Sequence, residues 1–212
     1  FVYKPVSGES PLWDFTRDTL CRREVAAANL DGLLGWDLVP PTRWTDEGPM
    51  GPGMVQQWVE EVDELRPVNI FDTHEVPTGW LSILQAIDQD GSEVILAHEP
   101  SEQLAQMALF DAVVNNADRK AGHVLVDKSG RVFGIDHGVC FHEEPKLRTV
   151  LWGWVDTPIP PKLLRDLTEL GTKLGSFDAQ IDPFLSAIES GTLRDRIAEL
   201  VHTQVFPRPD TQ

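Results

Sequence analysis

DAVVNNADRKAGHVLVDKSGRVFGIDHGVCFH, residues 111–142, decides how this chain is read. Asp118 stands in the polar run Asn115-Asn116-Ala117-Asp118-Arg119-Lys120, at the end of a helix-like stretch. A hairpin pattern follows: His123-Val124-Leu125-Val126, the turn Asp127-Lys128-Ser129-Gly130, then Arg131-Val132-Phe133-Gly134-Ile135. Two short apolar runs joined by a turn containing glycine pair as antiparallel strands. Asp136 ends the second run and precedes His137-Gly138. Either aspartate alone is an ordinary solvated turn residue. One before a hairpin and one after it, behind a helix, is a pattern with chemistry in it.

These residues resemble the catalytic loop and metal-binding motif of the phosphatidylinositol 3-/4-kinase-like superfamily, and within it the type II phosphatidylinositol 4-kinases and an actinobacterial kinase-like family. The resemblance implies phosphoryl transfer from ATP with Mg2+ or Mn2+, catalysed mainly by positioning and charge neutralisation. It matches Asp118 to the aspartate that orients or deprotonates the acceptor hydroxyl. It matches Asp136, in Ile135-Asp136-His137-Gly138, to the metal-holding aspartate of the Asp-Phe-Gly motif. His123 falls where the family usually carries a metal-binding asparagine, and a neutral imidazole is expected to take its place. Arg119 and Lys120 either stabilise the transferring phosphoryl or hold the loop.

Further matches lie upstream. Val2-Tyr3-Lys4 reads as a strand, and residues 19–34 read as a helix in which Ala26, Ala27, Leu30, Leu33 and Leu34 recur at helical spacing. Thr19 is expected to cap this helix and Gly35 to stop it. A strand lysine followed by a helix glutamate is how the family positions the α- and β-phosphates. Lys4 and Glu24, the latter in Arg23-Glu24-Val25-Ala26-Ala27, have that order, and Leu38-Val39-Pro40-Pro41-Thr42 opens the next strand in similar text. After the Pro/Gly turn at residues 48–53, residues 54–59 read as a strand that runs into the adenine-binding hinge. Met54 is the candidate gatekeeper and Gln57, Trp58 and Val59 the candidate hinge. The family's phosphate-covering loop precedes its lysine strand, and this sequence opens on that strand, so the nucleotide lobe reads as truncated.

Composition narrows the function classes. The net charge of −16 disfavours nonspecific binding to nucleic acid or to an anionic membrane. Residues 46–99 hold twelve acids and one base, Arg66, which is either a solvated face or a docking surface for a cationic partner. No apolar run is long enough to cross a bilayer. Cys21 and Cys140 form neither a disulfide framework nor a zinc pattern, which fits a reducing cytoplasm. The cluster Phe71-Asp72-Thr73-His74-Glu75 lacks ligand spacing on one face, so metal is not expected there.

The rest of the chain is organised around the catalytic segment. Residues 79–88 read as a short helix and Val94-Ile95-Leu96-Ala97 as a strand or the approach to the next helix. Ser101 caps a helix whose face Leu104, Met107, Ala108, Asp111 and Val114 delivers the catalytic loop. Trp152 and Trp154 either line a substrate pocket or plug the core, and the core is the expectation. Three apolar stripes follow: Leu163, Leu167, Leu170 and Leu174; then Ile181, Phe184, Leu185 and Ile188; then Leu193, Ile197, Leu200 and Val201. Residues 207–210 read as a frayed tail. The expected fold is α+β, bilobal and kinase-like, with a partial nucleotide lobe at residues 1–58 and a helical catalytic lobe at 59–212. The expected function is an ATP-dependent phosphotransferase acting on a hydroxyl of a protein or small molecule, in preference to a phosphoinositide. The alternative is a pseudokinase or nucleotide-binding scaffold, favoured by His123 and by the missing phosphate loop.

Overall fold

Helix α2, Glu102–Val114, is buried along almost its whole length, from Leu104 to Val114 with Gln106 as the exception. A helix apolar on every side belongs in a core. Ser101 caps it, its hydroxyl accepting the Leu104 N–H at 3.3 Å, and Asn115 ends it in the left-handed region at φ 53°. Leu, Val, Met and Phe side chains of α2 join the main core with Leu163, Leu167, Leu170 and Leu174 of α3, Pro161–Leu174, and Leu193, Ile197 and Leu200 of α4, Ala187–Thr203. The computed structural model giving these coordinates describes residues 1–175 and 178–209.

Three small antiparallel sheets complete a mixed α+β fold. The first has the order β1-β3-β2, with β1 Val2–Pro5, β2 Thr42–Gly48 and β3 Gly51–Gln56. Its register sets both Lys4 and Trp44 opposite Met54. Helix α1, Leu20–Leu34, packs on this sheet through Cys21 and Val25, which enclose Met54. Burial pushes the Cys21 thiol up to about 12, so it serves as a small packing group. The second sheet has the order β4-β6-β5, with β4 Val68–Asp72, β5 Leu81–Ile87 and β6 Glu93–His98. The third is the hairpin of β7, Val124–Val126, and β8, Val132–Gly134, where the sequence pattern places it.

Several expectations are corrected. Residues 81–87 form strand β5 instead of a helix, because Leu84, Gln85 and Ala86 pair with the β-branched run of β6. Strand β2 begins at Thr42, four residues later than Leu38, since Pro40 and Pro41 have no N–H to give a ladder. Strand β3 ends at Gln56, short of Val59. Thr19 does not cap α1: its hydroxyl donates to Thr16 O at 2.6 Å, and the Glu9 carboxylate takes the Leu20 and Cys21 N–H groups at 3.1 and 2.8 Å. The stripe at 181–188 is not a single helix, because Pro183 sits in a 3-10 turn, Asp182–Phe184, and α4 starts only at Ala187, with Ser186 as its cap. Trp154 stacks on His98 at 4.6 Å and Trp152 is half-buried, so this pair covers the core without filling it. Arg208, in the supposed tail, donates to Asp156 at 2.6 Å, while Asp210 lies outside the described residues.

Asp31, near the end of α1, ties the helix to the run into β2 by accepting the Val39 N–H at 2.9 Å, and its other oxygen has no partner among the described residues. Burial pushes its carboxyl from 3.8 to about 6. Between those values the folded chain holds a proton that the unfolded chain has released, so stability falls as pH rises through this window. Asp31→Asn keeps an acceptor for Val39 and removes the titration. The mutant should lose this pH dependence and gain on the order of 2 kcal/mol relative to wild type at pH 7, as read from urea midpoints measured across pH 4 to 7.

Candidate active site

Strand β1, helix α1 and the turn after β8 converge on three charged groups. Lys4 Nζ lies 2.6 Å from Glu24 Oε1 and 2.9 Å from Asp136 Oδ1. Glu24 is buried, and its second oxygen accepts the His137 N–H at 2.9 Å. One carboxylate therefore holds the strand lysine and also the backbone beside Asp136. Burial alone would lower the Lys4 pKa, but Glu24 and Asp136 outweigh it and hold the ammonium above the ordinary lysine range. Burial pushes the Glu24 carboxyl upward against the pull of Lys4 and the His137 N–H. Asp136 is in the left-handed region at φ 64°, which aspartate tolerates better than most residues. Burial would raise its pKa, yet Lys4 and His123 leave it below the usual carboxylate value.

Asp118 and His123 approach from the loop after α2. The Asp118 N–H donates to Asn116 Oδ1 at 3.0 Å, and its half-exposed carboxylate meets Lys120 Nζ at 2.8 Å. His123 Nδ1 lies 3.1 Å from the Asp118 carbonyl. A carbonyl cannot donate, so Nδ1 carries the proton and Nε2 presents its lone pair, 3.5 Å from Asp136 Oδ2. Burial holds the imidazole pKa below its ordinary value, which keeps the ring neutral. Lys4 occupies Oδ1 of Asp136 and leaves Oδ2 facing this nitrogen. A neutral imidazole nitrogen and a carboxylate oxygen at that separation suit a divalent cation that takes its remaining ligands from phosphates and water.

Arg119 does not face the cleft. It is buried against Asp111, with Nε and Nη2 reaching the carboxylate at 2.8 to 3.1 Å, and it donates to the carbonyls of His123 and Ile135 at 3.3 and 2.8 Å and to His137 Nε2 at 2.8 Å. Asp111 also accepts from Asn116 and Thr149, each at 3.0 Å. Of the two readings of Arg119, its contacts fit the one in which it holds the loop: it ties the Asp118 loop to the Asp136 turn from beneath. Lys120 is exposed and bound to Asp118.

Lys4, Glu24, Asp118 and Asp136 line one cleft of about 340 Å³ together with Tyr3, Glu9 and Gly138. Gln57, Trp58 and Val59 line a different one of about 620 Å³, with Pro40, Pro41 and Phe133. Among the described residues the backbone N–H groups of Trp58 and Val59 have no partner, whereas that of Gln57 donates to Pro41. Met54 is fully buried opposite Lys4. Glu9 is a cleft residue that no sequence pattern marks, because its role depends on the loop before α1 folding back. Asp111 did leave a signal, as the one carboxylate on the apolar stripe of α2.

Two comparisons with known proteins bear on the family of this chain. The family described as phosphatidylinositol 3- and 4-kinase matches residues 97–179, a span that includes Asp118, His123 and Asp136. Protein Rv2133c of Mycobacterium tuberculosis is 44% identical over 219 residues, covering 99% of this chain and 78% of that protein.

Replacing Arg119 by Met would leave the Asp111 carboxylate buried without its cation. The expected loss is about 3–5 kcal/mol of unfolding free energy, measured by urea denaturation. Adding Asp111→Leu to Arg119→Met should recover part of it, because the buried charge is then gone while Asn116, Thr149 and the His123 and Ile135 carbonyls still lack their partners.

Proposed function

The chain belongs to the phosphatidylinositol 3- and 4-kinase-like superfamily, and on that premise we propose that it transfers a phosphoryl group from ATP to an acceptor hydroxyl. The observation that carries this reading is the convergence on one cleft of Lys4, Glu24, Asp118 and Asp136, drawn from positions up to 132 residues apart. Such transfer needs charge placed around the phosphates and a nucleophile held in line, and little covalent work from the protein.

Each residue then has a role that its contacts support. Lys4, kept cationic by Glu24 and Asp136, neutralises the α- and β-phosphates. Glu24 fixes the direction of the lysine and, through the His137 N–H, the position of the Asp136 turn. His123 and Asp136 would hold Mg2+ or Mn2+, which when bound supplies positive charge to the phosphate oxygens. Asp118 accepts a hydrogen bond from the acceptor hydroxyl and takes its proton. The free N–H groups of Trp58 and Val59 bind adenine, with Met54 behind them as gatekeeper. Residues 1–58 act as the nucleotide lobe and 59–212 as the catalytic lobe. The surplus of carboxylates argues for a protein or small-molecule acceptor over an anionic lipid. No described helix is long and apolar enough to cross a membrane.

Incubation with γ-labelled ATP, Mg2+ or Mn2+ and a cell extract tests the proposal. Label should appear in a protein, a metabolite, a lipid or the chain itself; ATP binding with label in none of them would mean a nucleotide-binding scaffold. Asp118→Asn should leave ATP affinity within a few-fold of wild type while transfer falls by roughly a hundred-fold or more, the scale of a lost general base. Asp136→Asn should lower transfer by a similar order through lost charge. Normal transfer in either mutant removes that residue from the mechanism.

His123 makes a separate prediction about the metal. Imidazole is a softer ligand than an amide oxygen, so Mn2+ should support transfer at least as well as Mg2+. His123→Asn should shift that preference toward Mg2+ in parallel titrations of the two ions. Identical preferences in the two proteins would show that His123 is not a ligand.

A further inference from the structure

The sheet β4-β6-β5 carries an apolar row whose two outer members are exposed, while its central Leu96 is half-buried against the main core. Ile70 of β4 and Leu84 of β5 both stand opposite Leu96 of the central strand, so the three side chains share one face. Ile70 is 61% exposed and Leu84 58% exposed. β5 is also an edge, and every residue from Leu84 to Ile87 on it is exposed. Unpaired edge N–H and C=O groups beside aliphatic side chains invite another strand.

The charge around this face is one-sided. Residues 67–99 contain no lysine or arginine. Asp72, Glu75, Asp88, Asp90 and Glu93 are all exposed, and among the described residues none of them forms an ion pair. Arg66, the nearest base in sequence, is held by Glu61 and Asp63. The register places Asp72 in one row with Val94 and Ala86, directly beside the apolar row on the same face, and Glu93 opposite Ile87. A second copy of this chain on the same face would bring these carboxylates together, and an anionic membrane would meet the same repulsion.

We propose that this face and the free β5 edge dock an extended cationic polypeptide segment, in which aliphatic side chains alternate with lysine or arginine. In an added strand the side chains alternate between the two faces of the sheet, so every second one meets Leu84 and Ala86, the near ends of these two rows. The intervening cations turn to the opposite face, toward Glu93 opposite Ile87, and toward Asp88 and Asp90 in the turn after β5. The edge supplies backbone pairing, the aliphatic row sets register, and the carboxylates choose the sign of the partner. This inference does not depend on phosphoryl transfer.

A fluorescent peptide of alternating lysine and valine is the probe, with a lysine–serine peptide of equal charge beside it, both read by anisotropy on the intact chain. The lysine–valine peptide should bind saturably, and the lysine–serine peptide about tenfold more weakly or worse. Leu84→Ser with Ala86→Ser should weaken the first peptide about tenfold, and Asp88→Asn with Asp90→Asn and Glu93→Gln by a similar factor. The substituted side chains are exposed, and an unchanged near-UV circular dichroism signal from the Phe71–Trp80 pair confirms that the sheet remains folded. Equal binding of the two peptides, or affinity unmoved by the serine pair, would reduce the effect to diffuse charge attraction and overturn the proposal. So would the absence of saturable binding. Sedimentation showing a wild-type dimer that the serine pair dissociates would assign the face to a second copy instead.

Discussion

A guanidinium sealed away from water must be given acceptors by the chain around it, and Arg119 receives them from α2, from the loop after it and from the turn after β8. Asp111 comes from the central helix, the His123 carbonyl from the loop that carries Asp118, and the Ile135 carbonyl and His137 ring from the turn beyond the hairpin. Burying an ion pair costs several kcal/mol of lost hydration per charge, recovered only when geometry and hydrogen bonds are nearly complete. The Asp111–Arg119 pair meets that condition, with Asn116 and Thr149 taking the remaining carboxylate lone pairs. Any displacement of the Asp118 loop against the Asp136 turn breaks one of these bonds in a region that water cannot repair. The relative placement of Asp118 and Asp136 is therefore fixed from below, without using their own carboxylates, which face Lys120 and Lys4.

Glu24 does the corresponding work from above. Its two oxygens serve different elements, one the lysine on the first strand and the other the backbone N–H next to Asp136. Because the carboxylate is buried, neither bond is shared with solvent, and helix α1 becomes a brace between the sheet and the hairpin turn. Arg119 and Glu24 thus reach the residues around Asp136 from opposite sides, through side chain and carbonyl in one case and through the N–H of His137 in the other.

The parts of this arrangement that were legible beforehand are those set by local pattern. The β7–β8 hairpin follows from two apolar runs about a glycine turn, and α2 from its Ser101 cap and apolar stripe. Lys4 and Glu24 could be paired on paper because a strand lysine and a helix glutamate occur in the order that the resemblance requires. What was hidden depends on chain segments meeting. Glu9 replaces Thr19 at the start of α1 only because the intervening loop folds back. β5 was misread because a half-exposed edge strand has a weak period of two, and its partner in β6 lies beyond the Asp88–Gly91 turn. Arg119 sits among polar neighbours in a run that reads as solvated, and only the carboxylate misplaced on the stripe of α2 hinted that a cation must come inside.

One further bond reaches beyond the site. Arg23, adjacent to Glu24 on α1, is buried and donates to Glu189, while its Nε reaches Thr19 and its plane lies 4.9 Å over the Phe15 ring. Glu189 is also the residue that closes the capping box at the start of α4. An outward swing of α1 would have to pull a desolvated charge off the first turn of the last helix and uncap that turn in the same motion. The lysine-holding helix and the C-terminal helix are thus one mechanical unit. Control by tilting that helix, open to a two-lobed enzyme whose helix rests on its sheet alone, would here require breaking its buried contact with the first turn of α4.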